Sequence, residues 1–283
     1  MKIGVQAVYF NDLESETNDV FFYPDVQAEV MLNQQRLKLD IGVMGDLKQN
    51  TYQQFTQDNP FLSPTQLIQP SDNRYKAYAG FTAKVMETLS LSSQVFYSNT
   101  KDFAFFKANP NLDYANSQER RGFDYQNSFS VVYNGLETIG ISADVAYQID
   151  SDFTIGFFGK YSDYSVDNEE AWNLPEVEFK VYSSWDFTKN WNFSAALFYV
   201  GNRMDVQENI LINSFQLPIS SGEIKTTIDG YLDVNASVEY QINPRLSAFV
   251  NGNNLLNSSY NRWQNFDVQG LQVLGGLVYQ FNW

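Results

Sequence analysis

The chain has 283 residues and a formal net charge of −15, and it contains neither cysteine nor histidine. The missing residue types exclude disulfides, thiolate nucleophiles, histidine-based catalysis and zinc–thiolate sites. The acidic balance argues against nucleic acid as a partner, because phosphates attract Lys and Arg.

Apolar and polar residues alternate along most of the chain. The clearest segments are 37–43, 75–85, 139–149, 153–157, 191–197 and 232–242. A period of two predicts β-strands with two different faces. We find no convincing helical period in the sequence. The sequence therefore predicts an all-β protein.

Two kinds of polar connection separate these segments. Short turns are predicted at 33–35, 87–88, 150–152, 188–190 and 243–245, and long loops at 11–24, 48–74, 107–124, 163–175, 203–226 and 256–269. The two kinds alternate if 125–150 is one long strand with Asn134-Gly135 as an internal bulge, although Asn-Gly is also a hairpin signal. About twelve strands in up-and-down order result, with both chain ends on the short-turn side.

This arrangement is typical of outer-membrane barrels, which have short turns at one end and long loops at the other. Aromatic residues gather near the predicted strand ends, as interfacial girdles require. A soluble β-sandwich alternates in a similar way, but its polar face would carry more Lys and Glu. The predicted fold class is an all-β, antiparallel, up-and-down transmembrane β-barrel in the cell outer membrane.

Several features of the last third of the chain follow one another in a characteristic order. The run Leu246–Tyr260 contains an Asn-Leu pair and is followed by Trp263, Gly270 and a closing strand to Trp283. This order resembles the last hairpin of TonB-dependent outer-membrane receptors. Ala171–Pro175 and the strands up to residue 203 resemble the preceding barrel region of those receptors, and a weaker likeness reaches back to about residue 75.

The resemblance implies energy-coupled uptake of a scarce ligand across the outer membrane, with no enzymatic activity and no cofactor. The receptors also carry a plug domain and a segment that contacts TonB, and nothing in this sequence resembles either. Contact with the TonB complex would therefore need a missing N-terminal part. Receptor barrels have about 22 strands, so we expect residues 1–283 to be a single barrel region, the C-terminal portion of a receptor barrel. The alternatives are a standalone small channel or porin-like barrel, and a soluble β-sandwich or adhesin-like binding domain.

Exposed rings in the long loops are candidate ligand contacts, because rings stack on ligands at loop-built sites. These candidates are Phe61, Trp172, Tyr260 and Trp263. Packing of the loops over the barrel mouth is the other interpretation. The adjacent Arg120 and Arg121 could hold an anionic ligand or pair with neighbouring carboxylates.

Acidic residues cluster in two predicted loops and along predicted lumen-facing positions. The loop clusters are Asp12, Glu14, Glu16 and Asp19, and Asp163, Asp167, Glu169 and Glu170. They could attract Ca²⁺, but neither matches an EF-hand loop, and solvated loop charge is the simpler interpretation. The predicted lumen-facing charges are Asp144, Asp233, Glu239, Lys160 and Lys180. We interpret them as a ladder of pore charges, and we predict no catalytic, cofactor or metal site.

The closing strand carries the spacing Gly276-x-x-Tyr279-x-Phe281 and ends at Trp283. It resembles the C-terminal signal that the barrel-assembly machinery recognises by strand addition. A lipid-facing girdle strand is a compatible interpretation. The predicted partners are therefore outer-membrane lipid and the barrel-assembly machinery, and no nucleic acid.

Overall fold

The computed structural model describes residues 1–12, 17–33, 36–109, 127–212, 214 and 218–281. The elements in chain order are β1 Lys2–Asp12, β2 Thr17–Leu32, β3 Leu37–Lys48, α1 Tyr52–Asp58, β4 Ser71–Met86, β5 Leu89–Ala108, β6 Phe129–Gln148, β7 Phe153–Val166, β8 Val177–Thr188, β9 Trp191–Val200, β10 Arg203–Ile212, β11 Pro218–Ile228, β12 Tyr231–Asn243, β13 Leu246–Asn253, β14 Asn261–Trp263, β15 Phe266–Asp267 and β16 Gln272–Tyr279. Within these ranges, no helix has both the length and the apolar character to cross a membrane.

Twelve of the strands form one antiparallel sheet. Their order is β1-β2-β3-β4-β5-β6-β7-β8-β9-β12-β13-β16, and strands that are neighbours in this order pair with each other. The predicted all-β, up-and-down arrangement of about twelve strands is confirmed. In the part of the chain that the structure describes, β1 and β16 have one strand neighbour each and form the two edges.

The two faces of the sheet differ in chemistry. On one face Ile41, Ala79, Val95, Ile141 and Tyr161 form a continuous row of cross-strand partners. Ile41 is 57% exposed and Val95 50% exposed. A row of exposed apolar side chains across a sheet is costly in water and is what a lipid-facing wall requires. We call this side the apolar face.

The opposite, polar face carries many small and polar side chains, together with rings such as those of Phe158 and Phe198. Its matching row runs through Gly80, Gln94, Ser142 and Lys160. The five charges predicted to face a lumen all lie on this side, as the cross-strand partners show. Both faces therefore follow from the period of two, because successive side chains of a strand point to opposite sides.

Aromatic residues mark the short-turn end of the apolar face. The rings of Trp191 and Tyr240 are 4.6 Å apart, and those of Trp185 and Phe187 are 4.8 Å apart. Amphipathic rings are enriched where a membrane meets water. The predicted girdle is therefore present at this end of the sheet.

The long strand predicted over 125–150 is present as β6, but the bulge lies on its partner. The β5–β6 register shifts between Thr100 and Phe103, so that Lys101 and Asp102 together oppose Gly135. Asp102 has a φ of 56°, in the left-handed region that short polar side chains tolerate. The extra residue therefore belongs to β5, and the prediction that placed it at Asn134-Gly135 was wrong in this respect.

Four predicted loops contain regular structure. Most of 11–24 belongs to the β1–β2 hairpin, 48–74 contains α1, 203–226 is largely the β10–β11 hairpin, and 256–269 contains β14 and β15. Helix α1 escapes detection because it has two turns and a single buried residue, Phe55, which leaves no period to read. Thr51 begins it by accepting a hydrogen bond from the N–H of Gln54 at 3.2 Å. The β10–β11 hairpin is a two-stranded ribbon outside the main sheet, and Val206 of β10 belongs to a buried apolar cluster.

Candidate ligand site at the long-loop end

Most fully buried apolar side chains of the described residues gather at the long-loop end of the sheet, in what we call the loop cluster. Its core consists of Phe55, Leu62, Phe105, Ala108, Phe129, Val131, Leu136, Trp172 and Val206. They come from α1 and its flanking loop, the upper parts of β5 and β6, the β7–β8 connection and β10. The long loops therefore pack into a common core above the sheet.

The upper parts of β5 and β6 form a ribbon at the centre of this cluster. The β6 edge of the ribbon is covered by the chain that follows α1. The N–H of Phe129 donates to the carbonyl of Phe61 at 3.0 Å, and the N–H of Ser63 donates to the carbonyl of Phe129 at 2.9 Å. The N–H of Val131 donates to Oε1 of Gln66 at 2.7 Å. These bonds fix Phe61 beside the ribbon.

The β5 edge of the ribbon is held at its tip by two side chains. Nδ2 of Asn173 donates to the carbonyl of Phe106 at 2.8 Å, and the N–H of Ala108 donates to Oδ1 of Asp205 at 2.9 Å. Asp205 also accepts from Nδ2 of Asn173 at 2.8 Å and from the N–H of Val206 at 2.9 Å. Asp205 is 0% exposed, so it joins β5, β10 and the β7–β8 connection inside the cluster.

Burial of Asp205 disfavours its charged form. Desolvation raises the pKa of this carboxyl above its ordinary value, although the three hydrogen bonds and the charge of Lys107 act in the opposite direction. Lys107 lies 3.6 Å from Glu169 and 3.1 Å from Glu223, and its ammonium sits 5.2 Å from the ring centre of Trp172. A second ion pair joins Lys225 to Glu170. The β10–β11 hairpin is therefore tied to its neighbours by one buried carboxylate and by more exposed ion pairs.

A cavity of about 440 Å³ lies between the loop cluster and the polar face of the sheet, and we call it the polar-face pocket. Its aromatic lining is Phe61, Phe198, Tyr260, Trp263 and Phe266, and its charged lining is Asp233, Arg262 and Asp267. Apolar walls with a few convergent polar groups are the usual composition of small-molecule sites. This pocket is therefore the candidate ligand site.

Ring contacts position the wall of the pocket. The ring of Phe61 stacks on that of Phe266, with centroids 3.6 Å apart and planes inclined by 19°. Trp263 packs edge-on against Phe129 at 5.3 Å. The loop after α1 and the β14–β15 hairpin therefore meet through their aromatic residues over the sheet.

Tyr260 is held by a second set of contacts. Its hydroxyl donates to Oδ2 of Asp233 at 2.8 Å, and its ring stacks on Tyr231 at 4.0 Å with an angle of 7°. Arg203 lies 5.5 Å from the ring centre of Tyr231 and donates to the carbonyl of Asn261 at 2.9 Å. Burial and then the bond to Asp233 raise the pKa of the Tyr260 phenol, so it remains a neutral donor at physiological pH.

The structure places the candidate ring residues in two positions. Phe61, Tyr260 and Trp263 line the polar-face pocket together. Trp172 is 3% exposed and packs within the loop cluster, where its indole N–H donates to Oε2 of Glu169 at 2.8 Å. Arg120 and Arg121 lie outside the described residues.

The closing strand is an edge strand with exposed rings. Tyr279 and Phe281 are exposed, with ring centroids 4.8 Å apart. Gly276 lies beneath the ring of Phe249, and a Cβ built there would come within 2.6 Å of that ring. Trp283 lies outside the described residues.

The acidic clusters take different positions. Glu169 and Glu170 form the ion pairs described above, and Asp19 lies in β2. Glu14 and Glu16 fall outside the described ranges. Among the residues that the structure does describe, no group of three or more acidic side chains is arranged to hold a metal ion.

Asp205, Asn173 and Phe266 were not predicted from the sequence. Asp205 lies 97 residues from Ala108 and 32 residues from Asn173 along the chain. No local pattern marks a residue whose partners are this distant. The aromatic character of the 256–269 loop was the available signal for Phe266.

Comparison with known proteins gives a consistent result. Residues 79–255 match a family model described as TonB dependent receptor-like, beta-barrel. No curated protein matches the chain.

Solved structures share the fold of this chain. The ferripyoverdine receptor of the outer membrane of Pseudomonas aeruginosa, bound to ferripyoverdine, has 16% identity and a TM-score of 0.63, with 99% of this chain and 36% of that chain covered. The ferric-catecholate import receptor Fiu from Escherichia coli K12 has 14% identity and a TM-score of 0.58, with 93% and 35% covered. The copper transporter OprC has 11% identity and a TM-score of 0.61, with 94% and 41% covered. The chain thus spans a little over a third of the length of these structures.

Proposed function

Because this chain belongs to the TonB dependent receptor-like β-barrel family, we propose that it forms part of the wall of a receptor that takes up a scarce ligand. Members of this family are outer-membrane proteins of Gram-negative bacteria, which assigns the chain to that membrane. The family consists of receptors and transporters rather than enzymes. Coupling to the TonB complex is proposed for a receptor segment outside residues 1–283.

The polar-face pocket is the observation that carries this proposal. It lies between the long loops and the polar face, where a ligand would pass from the outside into a lumen. Its aromatic wall suits a ligand with planar groups, and Arg262, Asp233 and Asp267 give the lining charges of both signs. The similar structures named above concern ferripyoverdine, a ferric catecholate and copper. We therefore propose a metal chelate with planar groups as the ligand class.

Tryptophan fluorescence offers a direct test of this pocket. The full chain in detergent is titrated with a ferric complex of 2,3-dihydroxybenzoate, which quenches a nearby indole. We expect saturable quenching that is largely lost in Trp263→Phe and retained in Trp172→Phe, because Trp263 lines the pocket and Trp172 does not. Quenching that does not saturate, or that persists in Trp263→Phe, would overturn the proposal. Circular dichroism checks that both variants keep their strands.

We also propose that the closing strand is recognised during barrel assembly. The support is that β16 is an edge strand, and that the rings of Tyr279 at its end and of Phe281 two residues further on are exposed. Edge strands are templates for strand addition. Replacing Phe281 by serine is expected to lower the amount of chain in the outer membrane several-fold. Phe187→Ser is the matched control, since Phe187 is 60% exposed at the same end of the sheet. Equal losses in both variants would reduce the role of Phe281 to that of an ordinary girdle residue.

A further inference from the structure

A second cavity, separate from the polar-face pocket, lies along the β5 edge of the upper ribbon. It has a volume of about 460 Å³ and is lined by four consecutive residues of β5, Phe103–Phe106. The other walls come from α1, the end of β3, the start of β4, the β7–β8 connection and Trp263. We call this cavity the β5-edge cleft.

Backbone groups of β5 face this cleft. The β4–β5 ladder ends at the pair Asp72 and Lys101, so none of the described strands pairs with β5 on this side from the bulge onwards. Phe106 and Ala108 turn backbone groups to this side, where Asn173 and Asp205 bind them. Backbone groups of alternate residues in an antiparallel strand point to the same side. Ala104 therefore turns its N–H and carbonyl towards the cleft.

The walls of the cleft combine aromatic surface with polar groups. Phe55, Phe106 and Trp172 provide rings, and Leu174 provides an aliphatic side chain. Asn50, Ser71 and Asn73 add polar side chains to the walls. Apolar walls with a few polar groups are the usual composition of small-molecule sites.

Exposed charges of both signs stand at the mouth of the cleft. Lys48 and Asp58 are exposed and line it, and neither forms an ion pair with another described residue. One cation and one anion complement the two charged ends of a short zwitterionic chain. The volume also falls in the range of roughly 300–1,000 Å³ that small-molecule sites occupy.

We propose that the β5-edge cleft binds a free peptide of about three residues by strand addition. The central residue of the peptide pairs with Ala104, donating its N–H to the Ala104 carbonyl and accepting from the Ala104 N–H, as in other cases of strand addition. An apolar or aromatic side chain of the peptide packs against the rings of the wall. Lys48 binds the terminal carboxylate and Asp58 the terminal ammonium. This site does not depend on the function proposed for the polar-face pocket.

The test uses ligands that differ in a single backbone group. Isothermal titration calorimetry measures binding of the tripeptide Ala-Phe-Ala to the full chain in detergent. The same tripeptide N-methylated at the phenylalanine lacks the central N–H, and we expect it to bind about tenfold more weakly. No saturable binding of the parent peptide, or equal affinity of the two peptides, would overturn the proposal. This comparison needs no variant that must fold.

Protein variants then locate the binding site. Lys48→Ala is expected to weaken binding of the free-acid peptide about threefold and to leave its C-terminal amide unchanged. Lys189→Ala, an exposed lysine at the short-turn end, is the control and should leave both affinities unchanged. Leu174→Trp fills the cleft and should abolish binding while far-UV circular dichroism stays the same. Undiminished binding in Leu174→Trp would place the peptide elsewhere and contradict the proposal.

Discussion

Replacing Asp205 by alanine is expected to release the β10–β11 hairpin from the loop cluster while the twelve-stranded sheet stays paired. The carboxylate accepts hydrogen bonds from Ala108, Val206 and Asn173 at 2.8–2.9 Å, and it is fully buried. Alanine leaves two backbone N–H groups and one amide without an acceptor. The change therefore acts on the contact between the hairpin and its neighbours.

The size of the effect follows from these bonds. A hydrogen bond to a charged group contributes about 1.5–3 kcal/mol, so three bonds contribute at least about 4.5 kcal/mol. Removing a buried charge returns part of this energy, because burial raises the pKa of the Asp205 carboxyl. We expect a net loss of about 3 kcal/mol, which increases the opening equilibrium of the hairpin roughly 100-fold to 200-fold.

Hydrogen exchange measured by mass spectrometry is the assay. Amides of β10 and β11 should exchange faster by that factor in Asp205→Ala, whereas amides of β7–β9 should be unchanged. Asp229→Ala is the control, because Asp229 is exposed and lies next to the end of the same hairpin. Equal protection of the hairpin in Asp205→Ala and in the control would show that Asp205 does not hold the hairpin.

The pH dependence of hydrogen-exchange protection in the same hairpin provides an independent test of the role of Asp205. The folded pKa of Asp205 is raised, so its contribution to stability is greatest below the ordinary carboxyl value of ~3.9 and declines as the pH rises through the folded value. After correction for the intrinsic exchange rate, protection of β10 and β11 should increase as the pH falls from neutrality towards the ordinary value. Asp205→Asn should lose this dependence. An unchanged dependence in that variant would assign it to other groups.

Three further changes test other contacts. Gly276→Ala should lower the midpoint of thermal unfolding, because the added Cβ would lie 2.6 Å from the ring of Phe249. Gly275→Ala is the control and should leave the midpoint unchanged, because the nearest atom to its added Cβ is 3.6 Å away. Equal midpoints in the two variants would contradict this prediction. Tyr260→Phe should increase amide exchange in 254–271 by a factor that corresponds to about 1–2 kcal/mol, because the buried carboxylate of Asp233 loses a hydrogen-bond donor. Unchanged exchange in this segment would contradict the prediction. Lys107→Ala should reduce the salt dependence of amide exchange in the β10–β11 hairpin, because Lys107 pairs with the carboxylates of Glu169 and Glu223. An undiminished salt dependence would show that other ion pairs cause it.

The sheet could be predicted from the sequence because its signal is local. Each strand has an apolar and a polar face, so the period of two in 139–149 reports directly on the surroundings of β6. The order of the strands followed from the alternation of short turns and long loops. Helix α1 was missed for the opposite reason, since its single buried residue leaves no period to read. The β10–β11 hairpin was missed because charged and amide residues interrupt its apolar residues, among them Met204 and Val206.

The candidate site could be predicted only in part. The long loops containing Phe61, Tyr260 and Trp263 were recognised as places for ligand contacts, and the structure brings these three residues to one pocket. Which loops meet over the sheet depends on distant pairs such as Phe61 and Phe266. Nothing in the neighbourhood of either residue specifies that contact, and the buried position of Trp172 has the same non-local origin.

The sheet is a membrane wall with one face towards lipid and the other towards a lumen. The chain contains no cysteine, so single cysteines can be placed one at a time at Ile139, Ile141, Ser142 and Asp144 and spin-labelled in lipid vesicles. Accessibility to oxygen should be high at Ile139 and Ile141, and accessibility to a water-soluble nickel chelate should be high at Ser142 and Asp144. High accessibility to the nickel chelate at all four positions would contradict the claim, because both faces of the sheet would then be in water.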